Sequence, residues 1–491
     1  MNQGPSVHTL LKRIGPNKSQ MTVTPYDTSW LARLAELGEP LGECALDWLR
    51  DSQLPDGSWG AEEPLYYHDR LVCTLAAVTV LARQGSRSDR LRCQRAQPAL
   101  ETAIGGLSSD ATGETIGFEM IVPALLMEAE NVGVIGHRAK AALDHLVQYR
   151  AAKLVALPHG VINRHVTVAF SAEMVGPDGL KLLDVDNLQE ANGSVGHSPS
   201  ATAHFVRYVR RLDPAALAYL RGISRQGAVP TVAPSDVFEL SWVMWNLVLA
   251  GSLDDESSAL CHGYLDFLQG AWKPGEGIPQ ASGYTPTDGD DTSLVFELFA
   301  RFGRPLDLDA VLCYEEKDYF RCFRLEANTS LSANIHVLGA LRQAGLAVDH
   351  PSVTKVRSFL RRTQTVQMFW LDKWHASPYY PTAHAVIAAA GYDDDLVEDA
   401  IFWILSTQSR EGAWGYYAPT AEETAYCLQA LVLARRHGHE IPRDAIRCGA
   451  AWLADHGEPP YMPLWIGKCL YCPELVVRST VLSAQILAMQ E

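Results

Sequence analysis

A chain of 491 residues, 47% hydrophobic and 20% charged, can fill several buried cores and lacks the composition of a disordered protein. Its formal net charge of −16, without any block of Lys or Arg, argues against nucleic acid or an anionic membrane as the main partner. No apolar run reaches the roughly 18 residues of a membrane-spanning helix, and the first residues, MNQGPSVHTLLKRIGPNKSQ, lack the apolar stretch of a secretion signal. The 10 cysteines are scattered from Cys44 to Cys472, which suits a reducing compartment, and the expectation is a cytoplasmic protein.

Apolar residues recur at three- and four-residue spacing over 65–83, 115–132, 236–250 and 420–436, with Pro and Gly falling mainly between such stretches. Strand-like alternation is rare, so the predicted class is all-α. Gln53-Leu54-Pro55-Asp56-Gly57-Ser58-Trp59-Gly60 is echoed by Gln408-Ser409-Arg410-Glu411-Gly412-Ala413-Trp414-Gly415, each between two apolar helices. A helix–turn–helix unit repeated in this way predicts stacked helix pairs, as a solenoid or a closed αα-barrel. The pair Cys469 and Cys472 has no second pair in the sequence to complete a metal or redox site and reads as packing.

The hexapeptide Thr287-Asp288-Gly289-Asp290-Asp291-Thr292 crowds three carboxylates just ahead of the apolar Leu294-Val295-Phe296. A helix N-terminus welcomes acids in any protein. Three so close cannot all ionise when buried, however, and one kept protonated is a Brønsted acid. Holding an Asp neutral near pH 7 takes about three pKa units, or about 4 kcal/mol. A neutral carboxyl facing an apolar cavity can protonate an alkene, which a carboxylate cannot.

The tetrad 288–291 resembles the DxDD signature of class II terpene cyclases. So do other segments in family order: Tyr26-Asp27-Thr28-Ser29-Trp30, Gly117-Phe118-Glu119, Asn192-Gly193-Ser194 with Ser198-Pro199-Ser200-Ala201-Thr202-Ala203, and Trp465-Ile466-Gly467-Lys468 with Leu470-Tyr471. The resemblance implies two (α/α)-barrel domains, β and γ, with no class I α domain. Residues 1–43 plus 214–491 would form β, carrying the acid motif, and 44–213 the inserted γ. It implies Asp290 as proton donor, tuned by Asp288 and Asp291, with His336 as its hydrogen-bond partner and Asn334 as the fallback. Aromatic faces stabilise carbocations, and on the family pattern Trp374, Tyr379, Trp465 and Tyr471 are the cavity candidates, with Trp242 and Trp245 beside them. Lys153 and Arg164, and more weakly Lys468, are the implied diphosphate contacts.

The implied substrate is geranylgeranyl diphosphate with Mg²⁺, giving a bicyclic diterpenyl diphosphate of halimadienyl, clerodane or copalyl/labdane type. Farnesyl diphosphate, giving a drimane skeleton, is the alternative. A class I terpene synthase or a phosphatase would act next on the product. A protein prenyltransferase subunit would need a zinc constellation that the sequence lacks. An inverting glycosidase would use Asp290 with Glu423, and a non-catalytic helical-repeat binder has no use for the acid triplet. The acids Asp393-Asp394-Asp395 read as a helix start.

Overall fold

The computed structural model describes residues 6–251, 253–324, 326 and 328–491. Six helices, Asp236–Leu249, Gly289–Arg301, Leu331–Gln343, Tyr379–Ala389, Ala421–Arg436 and Glu474–Met489, pack each against the next, and the last returns to the first. The result is a closed barrel. Its inner helices are apolar on nearly every side: Asp236–Leu249 buries Val237, Leu240, Trp242, Val243, Met244, Trp245 and Leu247. A helix hydrophobic all round belongs inside. The outer helices bury a single stripe, as Pro351–Thr363 does with Val353, Val356, Phe359 and Leu360.

A second, smaller ring is made by Pro25–Ala32, Tyr67–Gln84, Phe118–Asn131, the 3₁₀ stretch Thr167–Val175 and Pro199–His204. The architecture is thus two helical barrels, as the sequence predicts, but the expected boundaries at 43 and 214 move. Leu10, Leu11 and Ile14 join the core of the larger barrel, whereas Tyr26 through Val229 fill the smaller one. The crossings therefore fall between Ile14 and Tyr26, and between Val229 and Val237. Periodicity finds a helix such as Pro25–Ala32 but does not say which core it enters.

The repeated turn is wired alike in both barrels. Gln53 Nε2 donates to Gly57 O (2.8 Å) and Gln408 Nε2 to Gly412 O (2.8 Å). The Trp59 and Trp414 indoles donate to Leu49 O (2.8 Å) and Ile404 O (2.7 Å), tying each turn to the preceding helix. A side chain on Gly57 or Gly412 would strike the Arg95 or Cys448 carbonyl at 2.3 or 2.6 Å, which is why glycine stands there. Two further copies are too eroded to see in the sequence. Gln364 and Trp370 repeat the pattern, with Met368 holding the glycine position at φ 72°. Gln189 and Gly193 do so with Val195 in place of the Trp.

The barrels are joined by an antiparallel hairpin, Trp465–Ile466 with Leu470–Tyr471. Ile466 N bonds Trp374 O (2.8 Å) on the larger barrel, while Gly467 O accepts from Ile116 N (2.9 Å) on the smaller. Leu470 N donates to Asp69 Oδ1 (2.7 Å), and Asp69, Cys73 and Cys469 place their polar atoms within 4.8 Å of one another. Cys469 thus has Asp69 and Cys73 as neighbours, which the spacing to Cys472 does not reveal. Lys468 corrects its sequence-based assignment. It is fully buried, and its ammonium donates to Glu173 Oε1 (2.6 Å), Ser198 Oγ (2.7 Å) and Ser200 Oγ (2.6 Å) in the smaller barrel. With all three protons committed, it is a structural clamp and not a diphosphate contact. Replacing it strands a buried carboxylate, so Lys468→Met should cost about 3–5 kcal/mol. Urea unfolding of the substrate-free protein will show the loss.

Candidate active site

The acid tetrad opens an inner helix of the larger barrel. Asp288 is the N-cap of Gly289–Arg301, its backbone extended and its Oδ1 accepting from Asp291 N at 2.7 Å. Gly289 N donates to Cys322 O (2.8 Å), and Thr292 Oγ1 accepts from Ile278 N (3.0 Å), so loops on both sides pin the turn. A cap of this type satisfies an otherwise orphaned amide, and the helix dipole favours negative charge beside it.

Burial then works against that charge. Among the described residues, Asp288 Oδ2 and Asp291 Oδ1 are buried without a hydrogen-bond partner. Burial raises the Asp288 pKa to about 8, with the Asp290 charge adding to it. Burial also raises Asp291 well above the usual carboxylate range, with Asp288 and Asp290 adding to it. Asp288 and Asp291 therefore hold their protons more tightly than ordinary carboxyls.

Asp290 differs from its neighbours. Its side chain keeps 18% of its surface open, and its Oδ1 meets His336 Nδ1 at 2.6 Å. Among the described residues its Oδ2 has no hydrogen-bond partner, so one oxygen is held and the other is free. His336 is carried by the adjacent inner helix Leu331–Gln343, whose first amides, Leu331 N and Ser332 N, bond Asp372 Oδ1 (3.0 and 3.2 Å). Nothing in the sequence marks Asp372 as a cap; that role appears once the two segments meet. Burial pulls the His336 pKa down, but Asp290, Glu297 and Asp372 overcome it, and the net direction is up.

Behind this pair lies a packed aromatic wall. The Trp242 ring stands 5.2 Å from His336 and 5.6 Å from Trp465, and Tyr380 lies 5.2 Å from Trp465. The Trp465 indole and the Tyr426 hydroxyl both donate to the buried Glu422 Oε1 (2.8 and 2.9 Å). Tyr471, across the hairpin from Trp465, is close enough to Asp291 and Glu422 for both charges to raise its pKa beyond the dominant effect of burial.

Other candidates fall elsewhere. Asn334 is buried and bonded to Phe320 N and O and to Ser330 O (2.8 Å each), so it braces the chain and does not reach Asp290. Tyr379 turns outward onto Trp403 (4.6 Å), and its neighbour Tyr380 takes the inward place. An inward aromatic at 380 follows from the helix face it shares with His384, four residues on. Trp374 is half-buried and bonded to Ser330 Oγ (2.9 Å) at the start of the His336 helix. Glu423 accepts from Thr420 Oγ1 (2.7 Å), Tyr416 N (2.8 Å) and the Ser377 hydroxyl, so it ties a helix start to two neighbouring segments and is not free for a glycosidase pairing with Asp290.

On the smaller barrel, Lys153 donates to Glu119 Oε1 (3.2 Å) beside the Tyr149 ring, and remains two-fifths exposed. Burial raises the Glu114 pKa, Glu119 adds to it, and His68, His145 and Lys153 oppose it. Two carboxylates and three basic groups therefore gather beside the loop that bonds Gly467. Arg164 lies near Glu190, which accepts from Thr285 N (3.1 Å) and Oγ1 (2.7 Å) just ahead of the acid tetrad.

Residues 326–458 match the squalene-hopene cyclase C-terminal domain. The chain is 44% identical to the type B diterpene cyclase of Mycobacterium tuberculosis over 94% of each sequence. It is 32% identical to an ent-copalyl diphosphate synthase of a Streptomyces species, over 89% of this chain and 86% of that one. Its structure superposes on the ent-copalyl diphosphate synthase from Streptomyces platensis with a TM-score of 0.80 and 28% identity, covering 98% and 99% of the two chains.

The acid cluster makes the fold pH-sensitive. A carboxyl whose folded pKa is raised stabilises the fold below its unfolded value of about 3.9 and loses that contribution as pH rises through the folded value. Asp288→Asn, which keeps the cap acceptor, should therefore raise the melting temperature at pH 8 and lose that advantage below pH 4. Melting curves of both proteins across this range will check the sign.

Proposed function

The chain belongs to the class II diterpene cyclases, and we propose that it cyclises geranylgeranyl diphosphate to a bicyclic diterpenyl diphosphate by protonating the terminal alkene from Asp290. The observation that carries this reading is the asymmetry of the Asp290 carboxyl: Oδ1 is held at 2.6 Å by His336, while Oδ2 has no hydrogen-bond partner among the described residues. An alkene is a weak base, so its donor must be a neutral acid, oriented and shielded from water. Asp288 and Asp291 supply the crowding that favours a retained proton. As the Oδ2–H bond breaks and a C–H bond forms, His336 donates to the developing carboxylate. The faces of Trp242, Trp465 and Tyr380 accommodate the cation as it moves through the ring closures. A proton lost from carbon ends the reaction, so product and substrate have the same composition and the diphosphate stays attached.

We assign the diphosphate to the smaller-barrel side, with Lys153 and Arg164 as its cationic contacts. For Mg²⁺, the crowded oxygen donors Glu114 and Glu119 fit a hard cation. These two would hold it, and it would supply charge neutralisation to the diphosphate. The halimadienyl type is our proposed product, and a class I terpene synthase or a phosphatase the proposed consumer. No described helix is long and apolar enough to cross a membrane. We place the protein in the cytoplasm, a reading supported by its 10 free cysteines.

Purified protein incubated with geranylgeranyl or farnesyl diphosphate, followed by dephosphorylation and GC–MS, should yield a bicyclic C20 alcohol as the main product. Asp290→Asn should abolish it while substrate still binds. Release of inorganic pyrophosphate as the main event, or near-wild-type turnover by folded Asp290→Asn, overturns the reading. Lys153→Ala and Arg164→Ala should each raise KM more than they lower kcat. Steady-state kinetics unchanged in both would remove them from the site.

A further inference from the structure

A second imidazole stands behind His336. His384, on the inner helix Tyr379–Ala389, brings its Nδ1 to 3.3 Å from His336 Nε2, so a carboxyl and two rings form one line: Asp290 Oδ1, His336, His384. His384 is 2% exposed, and its Nε2 is buried with no partner among the described residues. Its ring is stacked on Trp245 at 5.3 Å and 17°, with Tyr380 at 4.8 Å and Tyr426 at 5.3 Å closing around it. Such packing fixes the ring and leaves His336 as the direct polar contact of its Nδ1.

We propose that His384 is a positioning residue for the proton transfer: its Nδ1 accepts the Nε2–H of His336, which keeps the Nδ1–H of His336 on Asp290 Oδ1 and the transferable proton on Oδ2. This rests on the reading of Asp290 as the donor. The reason is tautomeric. A neutral imidazole carries one N–H, and His336 faces a carboxyl that can itself donate. With its proton on Nε2, neutral His336 would present a bare Nδ1 and accept the Asp290 proton, diverting it from the alkene. An acceptor fixed behind Nε2 lets His336 carry protons on both nitrogens, and a doubly protonated ring cannot take another.

The surrounding charges agree. Facing His336 are Asp290 and Glu297 from one helix, Asp372 from the segment before the next, and His384; burial lowers its pKa, the Asp290 carboxylate is the largest influence raising it, and Glu297 and Asp372 continue to favour the doubly protonated ring while Asp290 holds its proton. Facing His384 are His336 and His375, and the tyrosines Tyr380 and Tyr426. Burial, then the two imidazoles, lower its pKa well below the usual histidine value. The shared proton therefore rests on His336, and His384 remains the neutral acceptor. As Asp290 becomes a carboxylate, the line already holds the compensating positive charge.

The test compares His384→Phe, which keeps a ring but removes the acceptor, with His384→Asn, whose side-chain oxygen can stand near the Nδ1 place. Folding of each is checked by circular dichroism and melting. His384→Phe should lower kcat by about tenfold or more with KM little changed, and the limb of the kcat profile that reports loss of the His336 proton should move to lower pH. His384→Asn should recover most of both. Wild-type kcat and an unmoved limb in His384→Phe would overturn the proposal. So would equal loss in both variants with an unmoved limb, which would make the ring a space-filler. A second readout needs no turnover. In substrate-free, ¹⁵N-histidine-labelled protein near neutral pH, both His336 ring nitrogens should be protonated in the wild type, and Nε2 should lose its proton in His384→Phe. Signals identical in the two proteins also overturn the proposal. Failure of the wild type to cyclise any prenyl diphosphate would instead sink the parent reading, leaving this measurement to judge His384.

Discussion

The ion pair between Lys468 and Glu173 holds the two barrels as one body. Both side chains are wholly buried, and Tyr26 and Ser200 add hydrogen bonds to the same Glu173 oxygen at 2.8 and 3.0 Å. Desolvating two charges is costly, and only dense hydrogen bonding offsets it. Here that bonding comes from three segments of the smaller barrel, while Lys468 comes from a hairpin whose strands line the larger one. The pair therefore sets where Trp465 and Tyr471 stand relative to the acid tetrad. The aromatic wall beside the acid pair is positioned by a polar contact outside it.

The acid site follows the opposite logic. At the hairpin every Lys468 proton has an acceptor and the Glu173 Oε2 alone of the ion pair lacks a partner, whereas at the tetrad Asp288 Oδ2 and Asp291 Oδ1 are both buried and unsatisfied among the described residues. Groups of this kind destabilise the fold as carboxylates, and they persist where a retained proton is useful. The helix N-terminus moderates the cost by supplying backbone donors, Asp291 N among them, while the dry aromatic surroundings keep the cost from vanishing. Asp290 alone is left partly open. Three acids in four residues thus divide into a cap, a buried neighbour and a partly open carboxyl held by His336, and the division is made by the direction each side chain takes from one helical turn.

Aromatic residues show the same dependence on direction. Tyr379 and Tyr380 are adjacent and chemically identical, yet one packs outward on Trp403 and the other inward beside Trp465 and His384. A helical step of about 100° separates them, and which one faces in depends on how the helix is rotated in the ring. The eroded turn copies at Gln189 and Gln364 make a parallel point: their hydrogen-bond wiring survives where the Trp or the Gly that would advertise it has been replaced.

From the sequence alone came the helical class, the two-barrel architecture, the acid tetrad and the His336 partner. The class and the repeated turn are encoded locally, in periodicity and fixed spacing, whereas the two barrels and the His336 partner came through the resemblance to class II terpene cyclases. Tertiary structure alone decided the domain boundaries, the burial of Lys468, the bracing role of Asn334, the exchange of Tyr380 for Tyr379, and the approach of His384 to His336. These depend on contacts between segments far apart in the chain, as with the 48 residues separating the two histidines. No local pattern specifies which face of one helix will meet another, because that choice is made by the packing of the whole ring.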